Sequence, residues 1–250
     1  MGRKARVWWL VLCCALLPLG ALADSQGKDG QAAKDLIMQG ANLDLQGDHA
    51  GAIALFSKAI ALGAEYDGTL ERSFAYAASG HFAEALQDLD RAQALQPKAT
   101  APVSARYWFQ FQLDQFAAVV ATTDKLKSMS PPDPYAPLLR FIAEARLGRD
   151  GTAELAKTLD DSNKDQWPQA AAQMFLGQVS PDQLLQWAEQ SGNDQVACEA
   201  PFYVGEYFLI HQNRPYAQAA LQQNQQDLCR SVLEYYAARS ELASLNDSVQ

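Results

Sequence analysis

A short segment of this chain recurs at a nearly constant spacing, and this recurrence constrains the fold more than any other feature. The segment GDHAGA at 47–52 aligns with GHFAEA at 80–85 at an offset of 33 residues. The Phe-Ala pair of the second copy returns 34 residues later at 116–117, and another offset of 34 carries Asp114 onto Gly148. Periods of this length are typical of chains built from one repeated supersecondary unit. We therefore expect several copies of a turn followed by a helix.

Small residues occupy matching positions in the first two copies. Gly40 and Ser73 correspond on the first helix of each copy, and Ala52 and Ala85 correspond on the second. Two helices approach closely only where side chains are small, because larger ones push the helix axes apart. The pattern predicts two tightly packed helices in each copy.

This pattern resembles that of the tetratricopeptide repeat (TPR) family. The best match is the first copy, with three positions on each of its two helices: Leu36, Gly40, Leu43, Ala52, Phe56 and Ala59. The resemblance implies an all-α fold, a right-handed solenoid of antiparallel helix pairs. It also implies a C-terminal capping helix, because the last repeat of a solenoid has no neighbour to cover it.

The resemblance also divides the chain into segments. Repeats 3 and 4, at 100–133 and 134–166, are degenerate, and Ser180-Pro181-Asp182 has the capping chemistry of a helix start outside the period. The expected segments are a signal peptide at 1–23, a flexible linker at 24–32, TPR repeats 1–4 at 33–166, non-repeat helices at 167–197, a fifth repeat at 198–231, and a capping helix with its tail at 232–250.

The first residues have the composition of a secretory signal peptide. Arg3, Lys4 and Arg6 precede an apolar run of eleven residues from Val7 to Leu17, and Ala21-Leu22-Ala23 follows. A membrane anchor needs roughly 20 apolar residues, so we expect cleavage after Ala23 and export to the periplasm, with no membrane anchor.

Cleavage would remove three basic residues and no acidic ones, which takes the net charge from −9 to −12. A negative field of this size repels phosphate backbones, so we expect no nucleic-acid partner. A lipoprotein is not expected either, because Leu12 precedes Cys13, where a lipidation signal requires a small residue.

The C-terminal part shows a more specific resemblance. The sequences MFLGQVSPDQLLQWAEQ, at 174–190, and FYVGEYFLIHQNRPYAQAAL, at 202–221, are similar to periplasmic TPR proteins related to bacterial new lipoprotein I. The resemblance implies an adaptor that holds cell-envelope hydrolases or proteases. This chain lacks the lipid-bearing cysteine of that lipoprotein, so the resemblance does not carry over its membrane tether.

Two cysteines remain after removal of the signal peptide, Cys198 and Cys229. They occupy positions 1 and 32 of the fifth repeat, where an antiparallel hairpin brings the start of its first helix near the end of its second. Disulfides persist in exported proteins. We expect a structural disulfide rather than a reactive thiol, because no cysteine–histidine pattern accompanies either residue.

No catalytic or metal-binding motif stands out in the chain. The three histidines, His49, His81 and His211, fall in turns that a solenoid separates by about 10 Å, too far to share a metal ion. Carboxylates such as Asp88 and Asp90 are expected on solvated faces. We predict no enzymatic activity and no cofactor. An enzyme whose catalytic residues are too scattered for motif detection stays an open alternative.

The resemblance implies a partner-binding groove on the concave face of the solenoid, lined by residues of each first helix. The repeat alignment assigns five residues to this groove: Phe74, Trp108, Phe111, Ile142 and Arg146. Aromatic residues anchor cores as well as interfaces. For Trp108 and Phe111, burial in the core is therefore an equal alternative.

The expected function is that of an exported periplasmic scaffold or adaptor, which binds a partner protein or peptide on this groove. Fold alone does not determine function. Other open alternatives are an assembly factor of an envelope or secretion complex, and an immunity or effector protein. Homodimerisation through the irregular middle repeats also remains open.

Overall fold

The computed structural model describes residues 28–129, 132–159 and 166–247, and within these ranges all regular secondary structure is helical, with no β-strand. The all-α prediction is confirmed. The signal peptide expected at 1–23 lies outside the described residues. The chain divides into two compact units, one up to Ala105 and one from Arg106.

The first unit contains four complete helices and the beginning of a fifth, which crosses the boundary. These are α1 (Lys28–Leu45), α2 (His49–Ala61), α3 (Glu65–Ala78), α4 (Phe82–Leu95) and α5 (Ala101–Gln112). Helix α1 begins within the segment expected to be a flexible linker, so residues 28–32 are helical. An early helix start is consistent with Asp29 in the first turn, where its charge favours the helix dipole.

Consecutive helices of the first unit pack on one another from α1 to α4. A core of Ala52, Phe56 and Ala75 joins the first three helices. At Gly40, an added Cβ would lie 2.7 Å from Cε1 of Phe56. A side chain at this position would clash with the ring, so α1 and α2 pack closely at position 40, as the small residue there leads us to expect.

The turns of both units share an unusual backbone conformation. Gly47, Gly80, Asp114 and Gly148 all have positive φ, between 55° and 86°. Residues other than glycine rarely adopt this region. These four positions, spaced 33, 34 and 34 residues apart, are the turn positions of the sequence period. Gln212 has φ of 57° and, like the first three, lies two residues before a helix.

The second unit is arranged around one long buried helix. Its helices after α5 are α6 (Phe116–Leu126), α7 (Ala136–Arg146), α8 (Thr152–Ala156), α9 (Gln169–Phe175), α10 (Pro181–Gln190), α11 (Asp194–Ile210), α12 (Arg214–Gln223) and, after a 3₁₀ turn at Asp227–Ser231, α13 (Leu233–Asp247). Helix α11 packs against α7, α9, α10, α12 and α13. Every residue from Cys198 to Glu206 is buried, so α11 forms the centre of the unit.

In the described ranges, no helix combines the length and the apolar character needed to cross a bilayer.

Candidate functional site

Three of the five residues expected in the groove are buried. Trp108, Phe111 and Ile142 are 3%, 1% and 0% exposed. The rings of Trp108 and Phe111 each lie 5.9 Å from that of Phe202 on α11, centroid to centroid. Trp108 and Phe111 therefore have the core position that the sequence left open. Ile142 also lies in the core instead of lining a surface groove, because its face of α7 packs inside the second unit.

The other two groove residues keep some contact with solvent. Phe74 is half-buried on α3, in the first unit. Arg146, the last residue of α7, has a side chain that is 22% exposed. Of the five, Trp108, Phe111, Ile142 and Arg146 belong to the second unit, and Arg146 lines a cavity there.

Arg146 is paired with two buried glutamates. Its Nη2 donates to both carboxylate oxygens of Glu241 at 3.0 Å, and its Nη1 lies 3.5 Å from Glu206 Oε2. The guanidinium also lies 5.1 Å from the ring centroid of Phe116, a cation–π distance. Burial lowers the pKa of Arg146, but the charges of Glu206 and Glu241 outweigh this effect and raise it. The guanidinium is therefore a fixed positive charge.

A cavity of about 520 Å³ opens beside this ion pair. Arg146 and Glu241 form part of its wall, together with Leu209, Arg214 and Ser244. The lining combines both signs of charge with apolar carbon. The cavity is thus bordered by residues in or next to four helices, α7, α11, α12 and α13.

Glu206 and Glu241 also affect the pKa of each other. Burial, followed by the charge of Glu241, raises the pKa of Glu206 well above its ordinary value. Burial also raises the pKa of Glu241, while Arg146 lowers it. A protonated Glu206 can donate a hydrogen bond to Glu241, which raises the pKa of the first and lowers that of the second. The two carboxyl groups are therefore placed to share a proton.

Another buried carboxyl group, that of Glu199, lies seven residues before Glu206 on α11. It accepts hydrogen bonds from Tyr135 Oη at 3.1 Å, from Gln195 Nε2 and from Trp167 Nε1. Burial raises its pKa to about 7, although these donors oppose the shift. A carboxyl with such a pKa is suited to proton transfer. However, it is 3% exposed and lines neither this cavity nor the small cleft between α6, α7 and α8.

Glu234 on α13 is buried next to this network. It accepts a hydrogen bond of 2.9 Å from Tyr203 Oη. Burial, with the charge of Glu199 as the next cause, raises its pKa well above the ordinary value. Burial likewise raises the pKa of Tyr203 and of Tyr107, so both stay protonated donors.

Partly exposed aromatic side chains form a continuous row in the second unit, which we call the aromatic strip. In order of contact, its members are Phe141, Phe175, Tyr207, Phe208 and Tyr216. Successive ring centroids are 5.1, 6.4, 5.5 and 5.3 Å apart. His211 is exposed and stacks on Tyr207 at 4.1 Å. Tyr216 is 62% exposed, which is unusual for so large a side chain.

The aromatic strip was not found from the sequence. Its members come from α7, α9, α11 and α12, and the repeat alignment assigned none of them to a binding surface. The local sequence FYVGEYF at 202–208 is rich in aromatic residues. This composition indicates a cluster of aromatic side chains on α11, but it does not distinguish the buried rings from the exposed ones.

Cys198 and Cys229 form a disulfide, as expected from the sequence, with their Cα atoms 5.3 Å apart. Cys198 lies on α11 and Cys229 in the 3₁₀ turn that precedes α13. Asn224, which is buried, donates to the carbonyl of Cys198 at 2.6 Å. The disulfide therefore fixes the start of α11 to the segment leading into the last helix.

Each histidine contacts a residue close to it in the sequence. His49 bonds to Asp44 at 2.6 Å, while His81 and His211 are exposed and contact tyrosines. Across the ranges that the structure describes, no group of three His, Cys, Asp or Glu side chains is arranged to hold a metal ion. The chain matches no protein-family model.

Proposed function

We propose that the protein is an exported TPR-type scaffold that binds a partner protein or peptide and carries out no chemistry itself. The observation that carries the proposal is the aromatic strip. Large apolar groups left in contact with water mark interaction surfaces, and tyrosine is among the residues that contribute most to binding at interfaces.

The repeat architecture rests on two supporting observations. Positive φ at positions 47, 80, 114 and 148 repeats the period of the sequence in the backbone. Close helix contacts recur at corresponding small residues, because a Cβ added to Gly205 would lie 2.5 Å from Leu221, as one at Gly40 would lie 2.7 Å from Phe56. Both features are expected of TPR hairpins, in the first unit and again in α11 and α12.

The contact surface is assigned to the aromatic strip because Trp108, Phe111 and Ile142 are buried. A periplasmic location agrees with the disulfide, since such bonds persist in oxidising compartments. A partner among cell-envelope hydrolases or proteases is what the resemblance to proteins related to new lipoprotein I implies. Its surface would offer apolar groups and basic residues, because the mature chain carries a net charge of −12.

The test is affinity capture by mature protein (residues 24–250) from envelope extract, with identification of bound proteins by mass spectrometry. Each purified partner is then titrated against the wild type, Tyr216→Ala and Leu228→Ala. Leu228 is the matched control, because it is 58% exposed but lies outside the aromatic strip. We expect Tyr216→Ala to raise the Kd about tenfold or more and Leu228→Ala to leave it unchanged.

Two results would count against the proposal in different ways. Equal affinity for all three proteins would keep the scaffold but remove its assignment to the aromatic strip. Absence of any captured partner, together with turnover in a hydrolase and transferase screen, would replace the scaffold with an enzyme.

A further inference from the structure

The interface between α11 and α13 contains four buried carboxyl groups arranged in two layers. Glu199 and Glu206 are seven residues apart on α11, and Glu234 and Glu241 are seven apart on α13. A spacing of seven keeps two residues of a helix on one face, two turns apart. Glu199 therefore interacts with Glu234 in the first layer, and Glu206 with Glu241 in the second.

The first layer is stabilised without a cation. Its carboxyl groups accept hydrogen bonds from Tyr135, Gln195 and Trp167 on one side and from Tyr203 on the other. The charge of Asp133 also acts on Glu234, and raises its pKa. The nearby disulfide further holds this end of α13, because Cys198 adjoins Glu199 and Cys229 precedes Glu234 by five residues.

The second layer depends on Arg146 and on a proton. The charged groups that act on it include Glu206, Glu241, Arg146 and the exposed Asp114, and Arg214 lines the same cavity as Arg146 and Glu241. In the described part of the chain, no donor reaches Oε1 of Glu206, although Glu206 is 0% exposed. Two ionised glutamates here would leave a buried charge without compensation, which is strongly destabilising. A proton on Glu206, donated to Glu241, removes that charge.

We infer that docking of the C-terminal half of α13 on α11 depends on a proton shared by Glu206 and Glu241. With the proton in place, Glu241 is held between Arg146 and Glu206. Without it, the two carboxylates repel and this half of α13 separates from α11, while the disulfide keeps the other end attached. The inference concerns regulation and is independent of the proposed scaffold function.

Separation of α13 would change the cavity beside Arg146. Helix α13 supplies Glu241, Ser244 and Leu245 to the cavity wall. Two weaker contacts also join this half of α13 to its surroundings, from Arg214 Nη2 to the Leu245 carbonyl at 2.9 Å and from Ser240 Oγ to the Gln112 carbonyl at 3.1 Å. Among these contacts, the carboxyl pair is the one to which the shared proton is assigned.

Amide hydrogen exchange of the intact mature protein between pH 6 and pH 9 tests this directly. After correction for the intrinsic effect of pH on exchange, we expect protection of residues 237–247 to fall as pH rises. The protection factor should fall by up to about tenfold per pH unit for each proton that is released on opening. Helix α2, in the other unit, serves as the internal reference and should keep constant protection.

Glu206→Gln is the informative variant, since a glutamine keeps the size and the donor to Glu241 but cannot lose a proton. We expect it to abolish the pH dependence of protection in residues 237–247, whereas Glu65→Gln, a half-exposed control in the first unit, leaves it intact. Constant protection in the wild type, or an unchanged slope in Glu206→Gln, would overturn the inference.

A measurement on the wild type covers the case in which Glu206→Gln does not fold. Carbon-13 NMR of the glutamate side-chain carboxyl carbons reports each titration separately. We expect the carboxyl carbons of Glu206 and Glu241 to report a proton shared by this pair at pH 7. If both of these glutamates are ionised at pH 7, the inference fails, whatever the titration of Glu199 and Glu234.

Discussion

Arg72 on α3 and Asp88 on α4 form a two-pronged ion pair, with Nε donating to Oδ2 at 2.7 Å and Nη2 donating to Oδ1 at 2.8 Å. The third nitrogen, Nη1, donates to Ser57 Oγ on α2 at 2.9 Å. The two charged side chains are only 19% and 9% exposed. One arginine therefore connects three consecutive helices of the first unit. The solvated position expected for Asp88 is wrong, because its carboxylate lies in this buried contact.

Asp88→Ala should destabilise the first unit more than any change to a surface charge. The substitution leaves the Arg72 guanidinium largely buried without its carboxylate, and loss of one partner from a buried pair costs about 3 kcal/mol or more. Native-state hydrogen exchange of α3 and α4 measures this loss, because it reports the first unit separately from the second.

A matched exposed pair provides the control. Arg91 and Glu65 also join α4 to α3, at 3.1 Å, but their side chains are 49% and 51% exposed. Because water and salt screen such a pair, Glu65→Ala should lower the free energy of unfolding by about 0.5 kcal/mol or less. Equal losses in Asp88→Ala and Glu65→Ala would show that burial does not decide the contribution of these pairs.

Gly40→Ala should destabilise the contact between α1 and α2. Alanine normally favours a helix over glycine by up to about 1 kcal/mol, so the intrinsic effect alone would be stabilising. Here the new methyl group would lie 2.7 Å from the ring of Phe56, which is 1% exposed and has no room to retreat. We expect the clash to outweigh the helix propensity and to lower the free energy of unfolding by about 1–3 kcal/mol.

The contribution of the Phe56 ring can be isolated by a double variant. Gly40→Ala/Phe56→Leu removes the ring atoms that meet the new methyl group. Thermal unfolding of the single and double variants should therefore give effects that do not add, with part of the loss at position 40 recovered. Strictly additive effects would contradict a direct clash between the two positions.

The sequence predicted features that depend on nearby residues. The start of α10 is one example, because Ser180 accepts from the amide of Gln183 while Gln183 bonds back to the amide of Ser180. Such capping involves residues three positions apart, so it can be recognised from one short stretch of sequence. The close contacts at Gly40 and the turns with positive φ were likewise visible as a period. The all-helical fold followed from the same period, and the disulfide followed from the two remaining cysteines and their positions in the fifth repeat.

Contacts between distant segments were not predictable in this way. Arg146 pairs with residues 60 and 95 positions away, and neither partner carries a recognisable motif. Residues 198–206 are buried without interruption, so α11 lacks the polar face that would orient it in a sequence pattern. The groove assignment of Trp108 and Phe111 depended on a regular third repeat. Both rings are instead buried against Phe202, which lies on a distant segment of the chain. The sequence near Trp108 and Phe111 gives no sign of this contact.

Loss of the disulfide should weaken the second unit in particular. Cys198 and Cys229 close a loop over a separation of 31 residues, which stabilises by about 3–4 kcal/mol in the chain-entropy account. The three tryptophans that follow the expected signal peptide, Trp108, Trp167 and Trp187, all lie in this unit. Urea unfolding followed by tryptophan fluorescence should therefore show the loss in Cys198→Ala/Cys229→Ala. A reductant should produce the same shift in the wild type and none in the double variant.

Burial of Glu199 should make the second unit less stable as pH rises from about 4.5 to 7. The folded pKa is about 7, and an unfolded glutamate has its ordinary value near 4.5. A raised folded pKa gives stability that is complete below the unfolded pKa and lost as pH rises to the folded one. The loss amounts to about 3 kcal/mol across that interval, because each unit of difference corresponds to about 1.4 kcal/mol.

Comparison with Glu199→Gln isolates the contribution of Glu199 together with its effect on Glu234. A glutamine keeps acceptor capacity for Tyr135 and Trp167 but stays neutral, so the variant lacks the Glu199 contribution at every pH. Urea unfolding of both proteins at pH 4.5, 5.5, 6.5 and 7.5, followed by tryptophan fluorescence, gives the difference in unfolding free energy. We expect the wild type to lose stability relative to the variant as pH rises. A difference that stays constant, or that grows in favour of the wild type, would mean that Glu199 is ionised in the folded protein and that its three donors outweigh its burial.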